Sequence, residues 1–128
     1  MTTRYTTGRL YHATPSANVP SIRAHGIRLS RGPWEHYPTP RVYLTDDTNI
    51  TYIFAAQLLA EYPEVDEVSV LEVDAPQVGA PMHDDPDWYD GTRRDYIPTV
   101  AYVEAAIPAS AVGRVVEVYD RSDFDERR

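Results

Sequence analysis

Two short runs hold the residues best suited to chemistry: Leu10-Tyr11-His12-Ala13-Thr14 and Arg41-Val42-Tyr43-Leu44-Thr45. A neutral imidazole offers one donor and one acceptor, so His12 at the end of a strand can hold a hydroxyl group. Tyr43 presents a ring whose default role in a strand is core packing, with lining of a ligand pocket as the alternative. Thr45 precedes Asp46 and Asp47, so its hydroxyl either serves a ligand or helps cap the helix that follows. Between prolines, Trp34, His36 and Tyr37 form either an ordinary loop cluster or an amphipathic substrate lid. His83 stands beside Asp84, Asp85 and Asp87, but the run lacks the spacing of a calcium loop and contains Pro86, so it reads as a solvated acidic turn.

Composition removes several mechanisms. The chain of 128 residues contains no cysteine, which excludes thiol catalysis, disulfides and cysteine-ligated zinc. All 12 basic residues are arginine, so no lysine is present to form a Schiff base. Against 20 acidic residues they leave a net charge of −8, which argues against broad nucleic-acid binding by phosphate neutralisation. No apolar run approaches the roughly 20 residues of a membrane span, and Met1-Thr2-Thr3-Arg4 does not open a signal peptide. The expectation is a soluble, cytoplasmic, single domain with a core over residues 9–119 and a frayed tail over 120–128.

These residues need elements to position them. Prolines and glycines, 11 and 6 in number, cut the chain into short pieces. Arg9 to Ala13 reads as a strand, and Val19 to His25 as a short helix with Asn18 as its N-cap, Pro20 in its first turn and Gly26 as its stop. Arg41 to Thr45 is a second strand. Asp46, Asp47 and Thr48 offer caps for a helix reaching about Tyr62, with Ile50, Ile53, Phe54 and Leu58 facing the core. Glu67 to Val73, Thr99 to Ile107 and Gly113 to Tyr119 complete the strands, with a long connection from Asp74 to Pro98. The order predicts an α+β fold with a mostly antiparallel core.

A third segment, Val70-Leu71-Glu72-Val73-Asp74 followed by Tyr102-Val103-Glu104-Ala105-Ala106-Ile107-Pro108, joins the two runs above and the Asn18-Val19-Pro20-Ser21-Ile22 and Gly26-Ile27 stretches. The ordered set, from Leu10 to about Val118, resembles the ADP-ribosyltransferase-like superfamily. It is closest in pattern to RNA 2′-phosphotransferases, rifampin ADP-ribosyltransferases and DNA-targeting ADP-ribosyltransferase toxins. The resemblance implies a split β-sheet core of two small antiparallel sheets forming a cleft, with NAD as the substrate.

On that resemblance, His12 would hydrogen-bond a ribose hydroxyl, the small side chain of Ala13 would let its backbone approach the nicotinamide amide, and Thr14 would belong to the same cofactor-binding set. Tyr43 would stack on the nicotinamide, and Thr45 would hold the ribose or orient a carboxylate. His12 and Tyr43 would open into one cleft. The departing nicotinamide leaves an oxocarbenium-like ribose, which needs a nearby carboxylate. Asp95, after Arg93-Arg94, and Glu104 are the two candidates. The 2′-phosphotransferase reading expects an arginine in or after the second helix, and Asn49 to Tyr62 has none. A non-catalytic nucleotide- or protein-binding module on the same fold is the remaining reading.

Overall fold

The computed structural model describes residues 8–29, 40–84 and 100–124. Strand β1 (Arg9–Pro15) leads through a short 3-10 turn into helix α1 (Val19–His25). Strand β2 (Val42–Thr45) precedes helix α2 (Thr48–Glu61), and strand β3 (Glu67–Asp74) follows it. The two-residue strand β4 (His83–Asp84), then β5 (Val100–Val103) and β6 (Val112–Asp120), complete one antiparallel sheet in the order β4-β5-β2-β1-β3-β6. The α+β expectation holds, and among the described residues no helix is long and apolar enough to cross a membrane.

Period-two alternation divides the sheet into two faces, each with its own core. On one face, Leu10, Val42, Leu44, Leu71, Val73 and Val103 pack with Ile22 of α1 and with Ile27 and Ile107. On the other, Tyr43 and Val100 pack with Ile50 and Phe54 of α2, while Val68 meets Ala55, Leu58 and Leu59. The α2 stripe is therefore 50/51, 54/55, 58/59, with Thr51, Ala55 and Leu59 joining the expected Ile50, Phe54 and Leu58. Ile53, expected in the core, is 39% exposed, because those paired positions already fill the sheet-facing arc. Asp47 caps α2: its Oδ1 accepts from Asn49 N at 2.8 Å, as expected for one of the three cap candidates.

The expected pair of separate sheets is corrected by a single sheet with a thin seam. Strand β1 pairs with β3 along its whole length, from Arg9 opposite Asp74 to Pro15 opposite Val68. Among the described residues its pairing with β2 is confined to Tyr11 opposite Thr45. The halves β4-β5-β2 and β1-β3-β6 thus stay hydrogen-bonded at one point and diverge from it. The outer edge at β6 carries register shifts at Val70/Leu71 and Leu71/Val73, irregularities that discourage pairing with a further strand.

The C-terminal segment departs from the expected frayed tail. Arg121–Phe124 forms a 3-10 turn. The Arg121 guanidinium donates to the Leu59, Tyr62, Pro63 and Val65 carbonyls at 2.7, 3.0, 3.2 and 2.7 Å, satisfying the open end of α2. Phe124 packs on Tyr52, ring centroids 4.6 Å apart. Charge predicted a solvated tail here, whereas a helix C-terminus is a favourable place for a cation.

Gly26 does more than stop α1. Its φ of 84° and ψ of −176° lie in a region open essentially to glycine. A Cβ there would sit 2.2 Å from the Ile107 carbonyl oxygen, against the bridge that joins Ile27 to Ile107. Gly79 also has positive φ, 75°, but a Cβ there would meet nothing nearer than 4.0 Å. Gly26→Ala is expected to cost about 2–4 kcal/mol and Gly79→Ala about 1 kcal/mol. Thermal melts should show the Gly26 variant lower by about 8 °C or more. Equal losses at the two positions would contradict the proposed backbone clash.

Candidate functional site

Where β1 and β2 diverge, a cavity of about 280 Å³ opens on the α1 face. Strand β1 contributes His12 and Thr14, and the turn and helix above contribute Asn18, Ser21 and Ile22. The chain leaving α1 adds Gly26, Ile27 and Arg28, and the start of β2 adds Arg41 and Val42. The lining is thus a polar strand floor, an apolar wall and Arg28, with the start of β2 at the edge. At this volume, near the small end of the roughly 300–1,000 Å³ typical of ligand pockets, it suits a phosphate-and-sugar-sized group better than a whole dinucleotide.

His12 bridges the seam. Its Nδ1 lies 2.9 Å from the Tyr43 carbonyl oxygen. A carbonyl only accepts, so Nδ1 carries the hydrogen. Desolvation holds the His12 pKa below its ordinary 6.5, and the bond to Tyr43 only partly opposes this. The imidazole is therefore neutral near pH 7 and leaves Nε2 as an acceptor. A neutral acceptor in a cavity wall suits a ligand hydroxyl.

The remaining polar floor is tied down locally. The Asn18 amide donates to Thr14 Oγ1 at 3.3 Å, and Ser16 and Ser69 share a hydroxyl bond of 2.7 Å. Asn18 itself is helical, φ −83° and ψ −11°, and its side chain makes no cap bond. The expected N-cap fails because the 3-10 turn runs straight into α1, and Val19 N donates back to Ser16 O. The asparagine is thereby turned to the cavity rim.

Arg41 shares the parity of Tyr43 and Thr45, so its side chain lies on the α2 face although the start of β2 borders the cavity. Its guanidinium lies 3.8 Å over the Tyr102 ring, a cation–π contact that fixes its plane. Its NH1 donates to Tyr43 Oη at 3.4 Å, and its Nε lies 3.9 Å from Glu104 Oε2. His83 stacks against Tyr102 from β4, centroids 5.2 Å apart.

The expected site residues are divided between the two faces. His12 and Thr14 line the cavity. Tyr11 opposite Thr45 places Ala13, Tyr43 and Thr45 on the α2 face. Tyr43 does not open into the cleft of His12; it is buried against Phe54 and Tyr102, centroids 6.4 and 6.3 Å away. Thr45 is fully buried, and its Oγ1 accepts from Asp47 N at 3.1 Å, so it shapes the entry to α2. Ala13 packs into the α2-side clusters. One-residue alternation is the reason: His12 and Tyr43 sit at the centres of their runs but have opposite parity about the seam pair. Glu104 lies just past β5, with a 43% exposed side chain, 3.9 Å from Arg41 Nε and outside the cavity lining. Asp95 and the Trp34, His36 and Tyr37 cluster lie outside the described residues.

Sequence reasoning assigned no role to Arg28 or Ser21 at the site. Arg28 carried no local signal, because it reaches the cavity only through the turn that Gly26 makes. No protein-family model matches the chain, and no curated protein matches it at significant similarity.

The neutral state of His12 has a consequence in pH. The folded chain resists protonating His12, and the unfolded chain does not. The unfolded state therefore binds more protons as pH falls below 6.5, so this contribution is complete above that pH and is lost below it. In thermal melts from about pH 7.5 to about pH 5.5, the wild type should lose more stability than His12→Asn, which keeps a donor for Tyr43 but cannot titrate. Identical pH profiles would show that His12 is not held neutral.

Proposed function

We propose that this domain is an NAD-dependent mono-ADP-ribosyltransferase whose acceptor the fold does not specify. The observation that carries the reading is a neutral His12 acceptor beside Thr14 and Arg28 on one cavity at the sheet seam. NAD contains the two groups such a lining recognises, a ribose hydroxyl for His12 and a diphosphate for the Arg28 guanidinium. The segments resembling the superfamily run through this same region, from Leu10-Tyr11-His12 to Arg41-Val42.

In this reading the C1′–N bond to nicotinamide breaks, its electron pair leaves with the nicotinamide, and positive charge develops on the ribose. His12 holds the ribose, and Arg28 holds the phosphates. A carboxylate, Glu104 or Asp95, stabilises the ribose charge and takes the acceptor's proton. The placement of Tyr43 and Thr45 on the α2 face removes both from direct ligand contact in this cavity. The resemblance therefore rests here on His12 and Thr14.

A second reading draws on the same cavity. A guanidinium beside a histidine also suits a 2′-phosphate on RNA, so RNA 2′-phosphotransfer stays the alternative despite the arginine-free α2. Activity on 2′-phosphorylated RNA separates it from the first. A non-catalytic nucleotide- or protein-binding module would show neither.

The expected result is nicotinamide release from NAD by the wild type. Changing the true carboxylate, Asp95→Ala or Glu104→Ala, should lower turnover by about 10²–10³-fold without unfolding the chain. His12→Ala should act mainly on NAD affinity. Unchanged turnover in both carboxylate variants would overturn the mechanism, and a wild type that neither binds nor consumes NAD would leave the binding module.

A further inference from the structure

Helix α2 is apolar on the side turned away from the sheet as well as on the side turned towards it. Ile50, Thr51, Phe54, Ala55, Leu58 and Leu59 fill the sheet-facing arc. At about 100° per residue, the opposite arc runs through Tyr52, Ala56, Ala60 and Ile53. Tyr52 and Ile53 are 43% and 39% exposed. Of the 14 residues of α2 only Glu61, the last, carries a charge. A surface helix ordinarily turns charged side chains outward, and a helix apolar all round is covered on both sides. The face continues onto the C-terminal turn. There Tyr52 meets the Tyr119 ring at 5.6 Å and the Phe124 ring at 4.6 Å.

The border of this face is acidic. Burial raises the Tyr119 hydroxyl pKa, and the charges of Glu117 and Asp123 beside it raise it further. Glu61 and Glu64 are exposed where α2 ends. Arg121, the cation of this segment, is turned to the carbonyls at the helix end. We propose that the outer face of α2 docks a partner polypeptide presenting an apolar stripe flanked by arginine or lysine. The stripe covers Ile53, Ala56 and Ala60, its cations meet Glu61, Glu117 and Asp123, and the Tyr52 ring attracts a guanidinium. Charge complementarity selects this occupant over a second copy of the chain. Two-fold pairing would set the same carboxylates against themselves in a chain of net charge −8. The apolar centre supplies affinity, and the acidic rim selects the partner and steers its approach. The inference does not rest on NAD chemistry.

The test titrates the intact chain with a synthetic amphipathic peptide whose leucine stripe is flanked by arginines, read by fluorescence anisotropy. A second peptide has the same stripe flanked by glutamates. The arginine peptide should bind with a Kd below about 100 µM, more weakly as salt rises, and the glutamate peptide at least about 10-fold less tightly. Ile53→Arg should weaken the arginine peptide by at least about 10-fold, through lost apolar contact and like charge. Ala60→Arg serves as a second variant, and melting points show that each is folded. Val118→Arg adds the same charge at a 48% exposed residue on the opposite face of the sheet, opposite Ser69. It should leave binding within about 2-fold. Equal weakening by Val118→Arg overturns the proposal, since total charge would then explain the effect. Equal binding of the two peptides overturns it as well, and so does absence of binding by the arginine peptide. Sedimentation of the wild type alone gives the remaining outcome. A dimer that Ile53→Arg dissolves makes the occupant a second copy and overturns the basic partner.

Discussion

The seam between β1 and β2 sets the terms for the rest of the molecule. An antiparallel ladder that ends after Tyr11 opposite Thr45 leaves backbone groups on both strands needing partners. His12 answers part of that need by donating from Nδ1 to the Tyr43 carbonyl, a side-chain bond that spans the strands beyond their last described pair. The same bond determines the tautomer, and desolvation of the ring keeps it neutral. One contact therefore holds the two halves together, opens the wedge that becomes the cavity, and decides that the cavity wall offers an acceptor rather than a cation.

The wedge stays usable because its upper wall is anchored independently. Helix α1 has only seven residues, too few to persist without tertiary support. Ile22 and Ile27 bury it against the α1-face core, and the Ile27–Ile107 bridge ties its exit to the chain before β6. Arg23 adds a bond from α1 to the Gly113 carbonyl. Gly26 lets the chain make this turn, and the turn carries Arg28 to the cavity. On the other face, α2 is held by its own two clusters and by Arg121 at its end, so each half of the sheet has a separate support.

Much of the fold could be read from the residues because hydrophobic alternation and punctuation agree at most positions. The span of α1 matches the expectation, and β2, α2, β3 and β6 agree within about one or two residues, the usual uncertainty of element ends. What was not legible follows from long-range geometry. Strand β5 ends at Val103 rather than Ile107, because Ile107 leaves the ladder to bridge Ile27. The face assignment of Tyr43 failed because relative parity depends on which residue lies opposite Thr45, and no local pattern states that. Arg121 looked like part of a charged tail and is a helix cap, since its partners lie more than fifty positions earlier in the chain.

The site also illustrates how local charge can oppose the total. A chain of net charge −8 repels polyanions at a distance, where screening leaves only the overall field. Inside the cavity the local balance differs, because Arg28 lies beside a histidine that adds no charge of its own. A long nucleic acid would present its phosphates to the whole acidic surface, whereas a small ligand would meet the cavity alone, so the total charge and the lining of one cavity bear on different classes of ligand.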